Sequence, residues 1–311
     1  MQRRVVMITG ASSGIGAATA KLFARQGWAV VLAARSQDKL HKLAEDITAV
    51  GGEALVVPTD VTAQSDIENL VQKTVATFGR IDVLVNNAGV GISGTLETVD
   101  MAQLEYVFAL NTLAPIAVLQ AVAPVMKAQG DGVIVNISSM AEATGIPYMS
   151  GYGASKAALG YLSDAAAVEL SPYGIDVLKV LPGVTTTEFS HNTLRAGQAV
   201  TLEDLLAKLG LLTTVPPETV ARSIWKAVKT RRPQTYVTAQ DRFLGMAARF
   251  SPVMTMKVLK LALPRYAPPD GALPQASVRR DLATLGLIAA GIGVFIGGAL
   301  GYGLYRRRSI H

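Results

Sequence analysis

The chain has 311 residues, half of them hydrophobic and 17% charged, with no cysteine and three histidines. That length allows one large domain with additions. The lack of cysteine excludes disulfides and thiolate chemistry, and so few histidines argue against a histidine-rich metal site, so no metal is expected. The net charge of +6 is unevenly placed, because residues 222–311 carry 15 Lys+Arg against 3 Asp+Glu while the preceding body is acidic. A basic C-terminal third points to a partner at that end. Anionic lipid is favoured over nucleic acid, because an uncharged segment lies in the same region.

Met1-Gln2-Arg3-Arg4 is basic, but the apolar run Val5–Ile8 that follows is too short for a secretory h-region and leads into glycines. Val5–Thr9 therefore reads as a buried strand. Gly14–Gln26 reads as a helix closed by Gly27, and Trp28–Ala34 as a second strand. Asp38–Val50 is helical, Ala54–Val57 a third strand, Ser65–Phe78 helical and Ile81–Val85 a fourth strand. Asp100–Lys127 is a long helix carrying Asn111 and Pro115. It is followed by strand Val133–Ile137, helix Gly151–Leu170 and strand Ile175–Leu181. A helix at Glu218–Lys229 and a last strand at Gln234–Thr238 complete the body. Strands that are apolar throughout and alternate with helices imply a parallel sheet covered on both faces. The expected fold is a Rossmann-type doubly wound α/β sandwich over residues 1–240.

Between the first strand and helix lies Thr9-Gly10-Ala11-Ser12-Ser13-Gly14-Ile15-Gly16. Gly10 permits a tight turn, and Gly14 and Gly16 remove side chains so that backbone N–H groups can approach a pyrophosphate at the helix N-terminus. Dinucleotide sites usually place an acid at the end of the second strand for the adenosine ribose. Here Ala33-Ala34-Arg35 supplies a guanidinium instead, which suits a 2′-phosphate and favours NADP(H) over NAD(H). Asp60, after the third strand, is placed either to accept from an adenine amino group or to cap a turn.

Tyr152 and Lys156 lie four residues apart in a predicted helix and so share one face. An ammonium near a phenol favours the phenolate, which lets the tyrosine exchange a proton near neutral pH. Ser139 precedes the tyrosine by thirteen residues.

Taken together and in order, Thr9–Gly16, Asp60-Val61, Asn86-Asn87-Ala88-Gly89, Asn111, Ser139, Tyr152-x-x-x-Lys156 and Pro182-Gly183 resemble the short-chain dehydrogenase/reductase superfamily over roughly residues 4–240. The resemblance implies that Tyr152 is the general acid in reduction and the base in oxidation. Lys156 would lower its pKa and bind the nicotinamide ribose, and Ser139 would hydrogen-bond the substrate oxygen. It further implies that Asn111 holds a water relaying protons to Lys156. Asn86, Asn87, Ala88 and Gly89 would brace the sheet and border the adenosine ribose, while Pro182, Gly183 and Thr187 would close over the nicotinamide carboxamide. Relatives of this kind commonly pair through two long helices, so a homodimer or homotetramer is expected by analogy. A regulator that binds NADP(H) without turnover, or an epimerase on the same fold, stays open. The complete Asn-Ser-Tyr-Lys set argues for an enzyme that reduces a carbonyl or oxidises an alcohol.

The segment 188–215 corresponds to the family's substrate lid, and its leucines suit a lipophilic substrate or an ordinary amphipathic helix. Tyr148 and Met149 are further candidates for the pocket. Arg242, Arg249, Lys257 and Lys260 fall within an arc of about 80° if helical. Residues 241–266 thus read as an amphipathic segment, broken at Pro252, that either lies on a membrane surface or packs on the body with a solvated basic face. A linker at 267–281 follows. Leu282–Tyr305 holds 24 residues without a charge. As a helix it spans about 36 Å against a hydrocarbon core of about 30 Å. The expectation is a single-pass C-terminal membrane anchor, with the catalytic body in the cytoplasm.

Overall fold

The computed structural model describes residues 3–187, 189, 193–195 and 214–262. They fall into two compact units, one ending at Arg249 and one beginning at Phe250. Most of the expected lid, the linker and the membrane anchor lie outside the described residues.

The first unit runs β1 (Val5–Thr9), α1 (Gly14–Arg25), β2 (Ala29–Ala34), α2 (Gln37–Thr48), β3 (Glu53–Pro58), α3 (Gln64–Phe78), β4 (Val83–Asn86) and β5 (Ile92–Ser93). It continues with α4 (Met101–Phe108), a π-helical turn at Ala109–Leu113, α5 (Ala114–Gln129), β6 (Gly132–Ile137), a 3₁₀ turn at Met140–Glu142, α6 (Ser150–Leu170) and β7 (Ile175–Leu181). The remaining elements are β8 (Leu194–Arg195), α7 (Pro217–Thr230), β9 (Gln234–Tyr236) and α8 (Ala239–Phe250), whose last residue begins the second unit.

Seven strands form one sheet in the order β3-β2-β1-β4-β6-β7-β9, with every neighbouring pair parallel. The order reverses between β1 and β4, the switch point at which ligands bind in sheets of this kind. The strands' period of two divides their side chains between two cores. Val6 and Ile8 of β1 pack with Val30 and Leu32 of β2 and with Phe23, Leu40 and Ile224 on one side. Val5 and Met7 pack with Ala29, Val31, Leu70, Val118 and Met126 on the other. Phe23, Trp28 and Trp225 meet edge to face, with ring centroids 4.9–6.0 Å apart, and tie α1 to α7.

Several expected elements change on folding. The single helix over Asp100–Lys127 is interrupted by the π turn, because the fully buried Asn111 side chain is pulled out of regular register to pair with Val90. π turns of this kind cluster at functional sites. The two-residue strands β5 and β8 form a separate parallel pair, too short to leave a periodic signal. The last strand stops at Tyr236 rather than Thr238, because Thr238 caps the next helix. Thr238 Oγ1 accepts from Asp241 N, and Asp241 Oδ2 accepts from Thr238 N, both at 3.0 Å. This reciprocal capping box starts α8.

The body therefore extends beyond the expected limit of 240. Asp241, Gly245 and Ala248 of α8 are buried. Arg249, counted above among the basic residues offered to lipid, pairs with Glu142 instead. The second unit contains the helix α9 (Pro252–Ala262), opened by Pro252 at a position where the missing N–H costs nothing. Two helices broken at Pro252 match the expected pattern.

Candidate active site

At the switch point the strand ends enclose a cleft of ≈ 580 Å³. Its floor is the glycine turn. Gly10 and Gly14 have φ of +62° and +53°, a region that glycine enters without steric cost. A Cβ on Gly10 would lie 2.9 Å from Ala88 Cα, and one on Gly16 would overlap the Gly10 carbonyl oxygen. The turn is stitched to the end of β4: Asn87 Nδ2 donates to Thr9 O at 2.9 Å and to Gly10 O at 3.1 Å, while Thr9 Oγ1 accepts from Asn87 N and Ala88 N. Asn86 Nδ2 donates to Pro115 O and to Asn136 Oδ1, which braces β4 against α5 and β6.

Ser13 precedes α1 without a side-chain cap, and the first turn of the helix carries no acid. Its N-terminal N–H groups and positive dipole end are thus without an internal anion. A Cβ on Gly14 would press on Thr187 at 3.2 Å, so only a bare backbone fits between the turn and that threonine. These features fit a pyrophosphate. Ser12, Ser13, Gly14, Ile15, Asn87, Ala88, Gly89, Pro182, Gly183 and Thr187 all line the cleft. Gly16 does not; its part is to let the turn close.

One end of the cleft is basic. Arg35, Ser36 and Lys39 line it, and Arg35 Nη1 lies 3.4 Å from the Tyr106 hydroxyl. Ser36 and Lys39 escaped the sequence reading; their position around the start of α2 was the available signal. Asp60 and Val61 lie at the same end. Asp60 Oδ1 accepts from Thr62 N and Thr62 Oγ1, and these bonds hold the carboxyl below its ordinary range, with a smaller contribution from Arg35. Asp60 thus caps a turn, one of its two expected uses, while still facing the cleft.

The other end holds Ser139, Tyr152 and Lys156. Tyr152 is 7% exposed and sits among Val90, Ile92, Val107, Ala141 and Met149, with the Phe189 ring at 5.6 Å. Lys156 Nζ lies 6.0 Å from the Tyr152 ring centroid and donates to Ile137 O at 2.9 Å. Burial lowers the Lys156 ammonium to about 8, against the opposing attraction of Glu142. Ser139 Oγ accepts from Ala141 N at 3.1 Å, so its hydroxyl hydrogen remains to be donated.

Asn111 lies outside the lining. Its Oδ1 accepts from Val90 N, and its Nδ2 donates to Val90 O and to Ser155 Oγ, at 2.9–3.0 Å. One amide hydrogen is committed to Val90 O and the other to Ser155 Oγ, so the side chain ties the Val90 segment to the Tyr152 helix. Tyr148 and Met149 also miss the cleft lining; Met149 packs against Tyr152 instead.

Residues missed entirely are those of α8. A Cβ on Gly183 would run into the Asp241 carboxylate, which accepts a backbone hydrogen bond from Gly183. Burial raises the Asp241 pKa, against hydrogen bonds from Thr238 and Gly183. The Pro182-Gly183 loop over the cleft is thus held from behind by the helix that the capping box starts. The Thr-x-x-Asp spacing of Thr238 and Asp241 was the signal in the sequence.

A Rossmann-like sheet whose switch-point cleft joins a phosphate-type glycine turn to a buried tyrosine–lysine pair defines a dinucleotide-dependent oxidoreductase. The pattern of the short chain dehydrogenase family matches residues 4–197. An uncharacterized oxidoreductase of Thermotoga maritima is 41% identical over 208 residues, which cover 67% of this chain and 81% of that protein. The ketoacyl reductase HetN of Nostoc sp. is 35% identical over 234 residues, covering 75% and 78%. Among solved structures, a short-chain dehydrogenase from Sphingobium yanoikuyae in complex with NADPH is 31% identical with a TM-score of 0.67, covering 85% of this chain and 98% of that one. A short chain dehydrogenase/reductase from Burkholderia phymatum in complex with NAD is 25% identical with a TM-score of 0.72, covering 88% and 98%. The chain belongs to the short-chain dehydrogenase/reductase family and is an oxidoreductase acting between CH–OH and C=O with NAD(P).

Proposed function

We propose that this oxidoreductase prefers NADP(H) and reduces the carbonyl of a lipophilic substrate. The observation that carries the reading is one cleft with a basic end at Arg35 and Lys39 and a proton-donating end at Tyr152, Lys156 and Ser139. Two cations near the end of β2, with no carboxylate ending that strand, suit a 2′-phosphate better than a bare ribose. When bound, the nicotinamide supplies the hydride that adds to the substrate carbon.

The chain's own residues manage the oxygen and its proton. Ser139 Oγ–H donates to the carbonyl oxygen as negative charge builds there. Tyr152 Oη gives that oxygen a proton, and in the reverse direction it takes one. Lys156 uses one N–H on Ile137 O and keeps two for the cleft, where they favour the phenolate left behind. The apolar surround of Val90, Phe189 and Leu194 limits water at that end.

The resemblance to a ketoacyl reductase and the leucine-rich segment 202–212 support a keto substrate on an acyl or other long apolar body. The uncharged span 282–305 with its arginine flanks supports a C-terminal membrane anchor; use of NADPH favours the cytoplasmic side for the catalytic unit, and analogy with the family favours a homodimer or homotetramer. The test is NADPH oxidation by the full chain in detergent, with 3-ketoacyl thioesters of increasing length as probes. Turnover should rise with chain length, and Tyr152→Phe should reduce it by about 10³-fold with NADPH affinity kept. Equal turnover by Tyr152→Phe refutes the assignment. Equal use of NADH refutes the cofactor preference.

A further inference from the structure

Behind the cleft lies a charged cluster that no step above uses. The Glu142 side chain is 2% exposed and that of Lys179 3%. Ser138 Oγ donates to Glu142 Oε2 at 2.5 Å and also lies 3.4 Å from Lys156 O. Lys179 Nζ is 3.6 Å from Glu142 Oε1 and donates to Asp164 Oδ2 at 2.8 Å and to Gly160 O at 3.3 Å. Arg249 Nη2 reaches Glu142 Oε1 from α8, and Arg249 Nη1 is 3.3 Å from Gln234 Oε1 of β9.

Room for the carboxylate is built into α6. A Cβ on Gly160, one turn beyond Lys156, would lie 2.6 Å from Glu142 Oε2. A buried carboxylate in so tight a seat is costly unless it is paired and hydrogen-bonded, and here it has two cations and a hydroxyl. It sits on the turn that starts at Ser139, and it is the charge that opposes the burial-driven fall of the Lys156 ammonium.

We propose that Glu142 is a positioning residue for the reaction at Tyr152. Its carboxylate, clamped by Arg249 of α8 and Lys179 of β7, keeps Lys156 charged, so the docked α8 sets the upper pH limit of the site. The inference rests on the reading of Lys156 as part of the proton-transfer site. The charged groups at the cluster are Asp164 from α6, Lys179 from β7 and Arg249 from α8, while the titratable group beside Lys156 itself is Tyr152 on α6. Of these, Asp164 is spent on Lys179 and lies at the exposed edge, with 66% of its side chain accessible. Glu142 is thus the one buried carboxylate of this cluster, and its removal takes away the charge that opposes the burial-driven fall of the Lys156 ammonium.

The test reads the lysine itself. In the full chain carrying isotope-labelled lysine, the Lys156 side-chain signal is assigned by its loss in Lys156→Met and followed by NMR through the alkaline range. Glu142→Gln should move the Lys156 midpoint down by about one unit. The alkaline limb of NADPH oxidation should move with it. Glu142→Gln/Arg249→Gln deletes the pair without stranding the guanidinium and leaves Lys179 its Asp164 partner. It should move the midpoint in the same direction, and it carries the test if the single variant does not fold. A midpoint unchanged within about 0.3 unit in the folded variants overturns the inference. A shifted midpoint in a protein that turns over no carbonyl leaves the inference standing and removes the reading of function instead.

Discussion

Replacing Lys156 by methionine separates the requirement for function from the requirement for stability. In the folded chain burial takes this ammonium from 10.5 to about 8. At about 1.4 kcal/mol per unit, the charged form is disfavoured by about 3 kcal/mol relative to the unfolded chain. Methionine keeps the length and apolar stem, loses that penalty, and gives up a charge-assisted bond to Ile137 O, worth about 2 kcal/mol. Glu142 is not orphaned, because Arg249 and Lys179 still face it. Lys156→Met should therefore be more stable than the parent by about 1 kcal/mol at pH 7, and the proposed role of Lys156 predicts that it loses activity.

The pH dependence gives the sign. Below about 8 both folded and unfolded lysines hold their proton, and the whole penalty is felt. Between about 8 and 10.5 the folded state releases the proton while the unfolded state keeps it, so stability of the parent rises with pH through that window. Above 10.5 both are neutral and the penalty is gone. Urea unfolding of parent and variant, without cofactor, at pH 7 and near 10 should show the variant's advantage at pH 7 lost at the higher pH. A variant less stable than the parent at pH 7, by an amount that does not change with pH, would refute the reasoning.

Other perturbations read other parts of the structure. Gly16→Ala drives a Cβ into the Gly10 carbonyl, a backbone atom that cannot yield, and should destabilise by about 3 kcal/mol or more; thermal unfolding and NADPH fluorescence titration measure it, and wild-type values would contradict the packing. Arg35→Ala/Lys39→Ala should reduce the preference for NADPH over NADH by at least about tenfold, read as the ratio of kcat/KM values, whereas an unchanged ratio would place the discrimination elsewhere. Asp241→Ala removes the capping box and the support behind Gly183. It should cost about 1–2 kcal/mol and raise KM for the cofactor more than it lowers kcat. An unaltered KM would mean that α8 does not hold the loop.

Strands such as Val5–Thr9 and Ala29–Ala34 were legible because each must be apolar on both sides to sit in a covered parallel sheet. The glycine turn was legible for a related reason: the requirement for positive φ and bare backbone is local, and only one residue type meets it. Tyr152 and Lys156 announced themselves by a helical spacing that holds wherever the helix is placed.

Other features belong to the tertiary structure. The π turn at Asn111 comes from pairing with Val90, twenty-one residues away in the chain. The charged seat behind the cleft joins Ser138, Glu142, Lys179 and Arg249, with Glu142 and Arg249 lying 107 residues apart in the chain. From composition Arg249 was one of several basic residues in a basic tail; only the docking of α8 turned it inward. Local geometry travels with the chain and can be read from spacing. Which charges neutralise one another is settled by long-range approach, and the sequence carries that only as a list of charges whose partners folding selects.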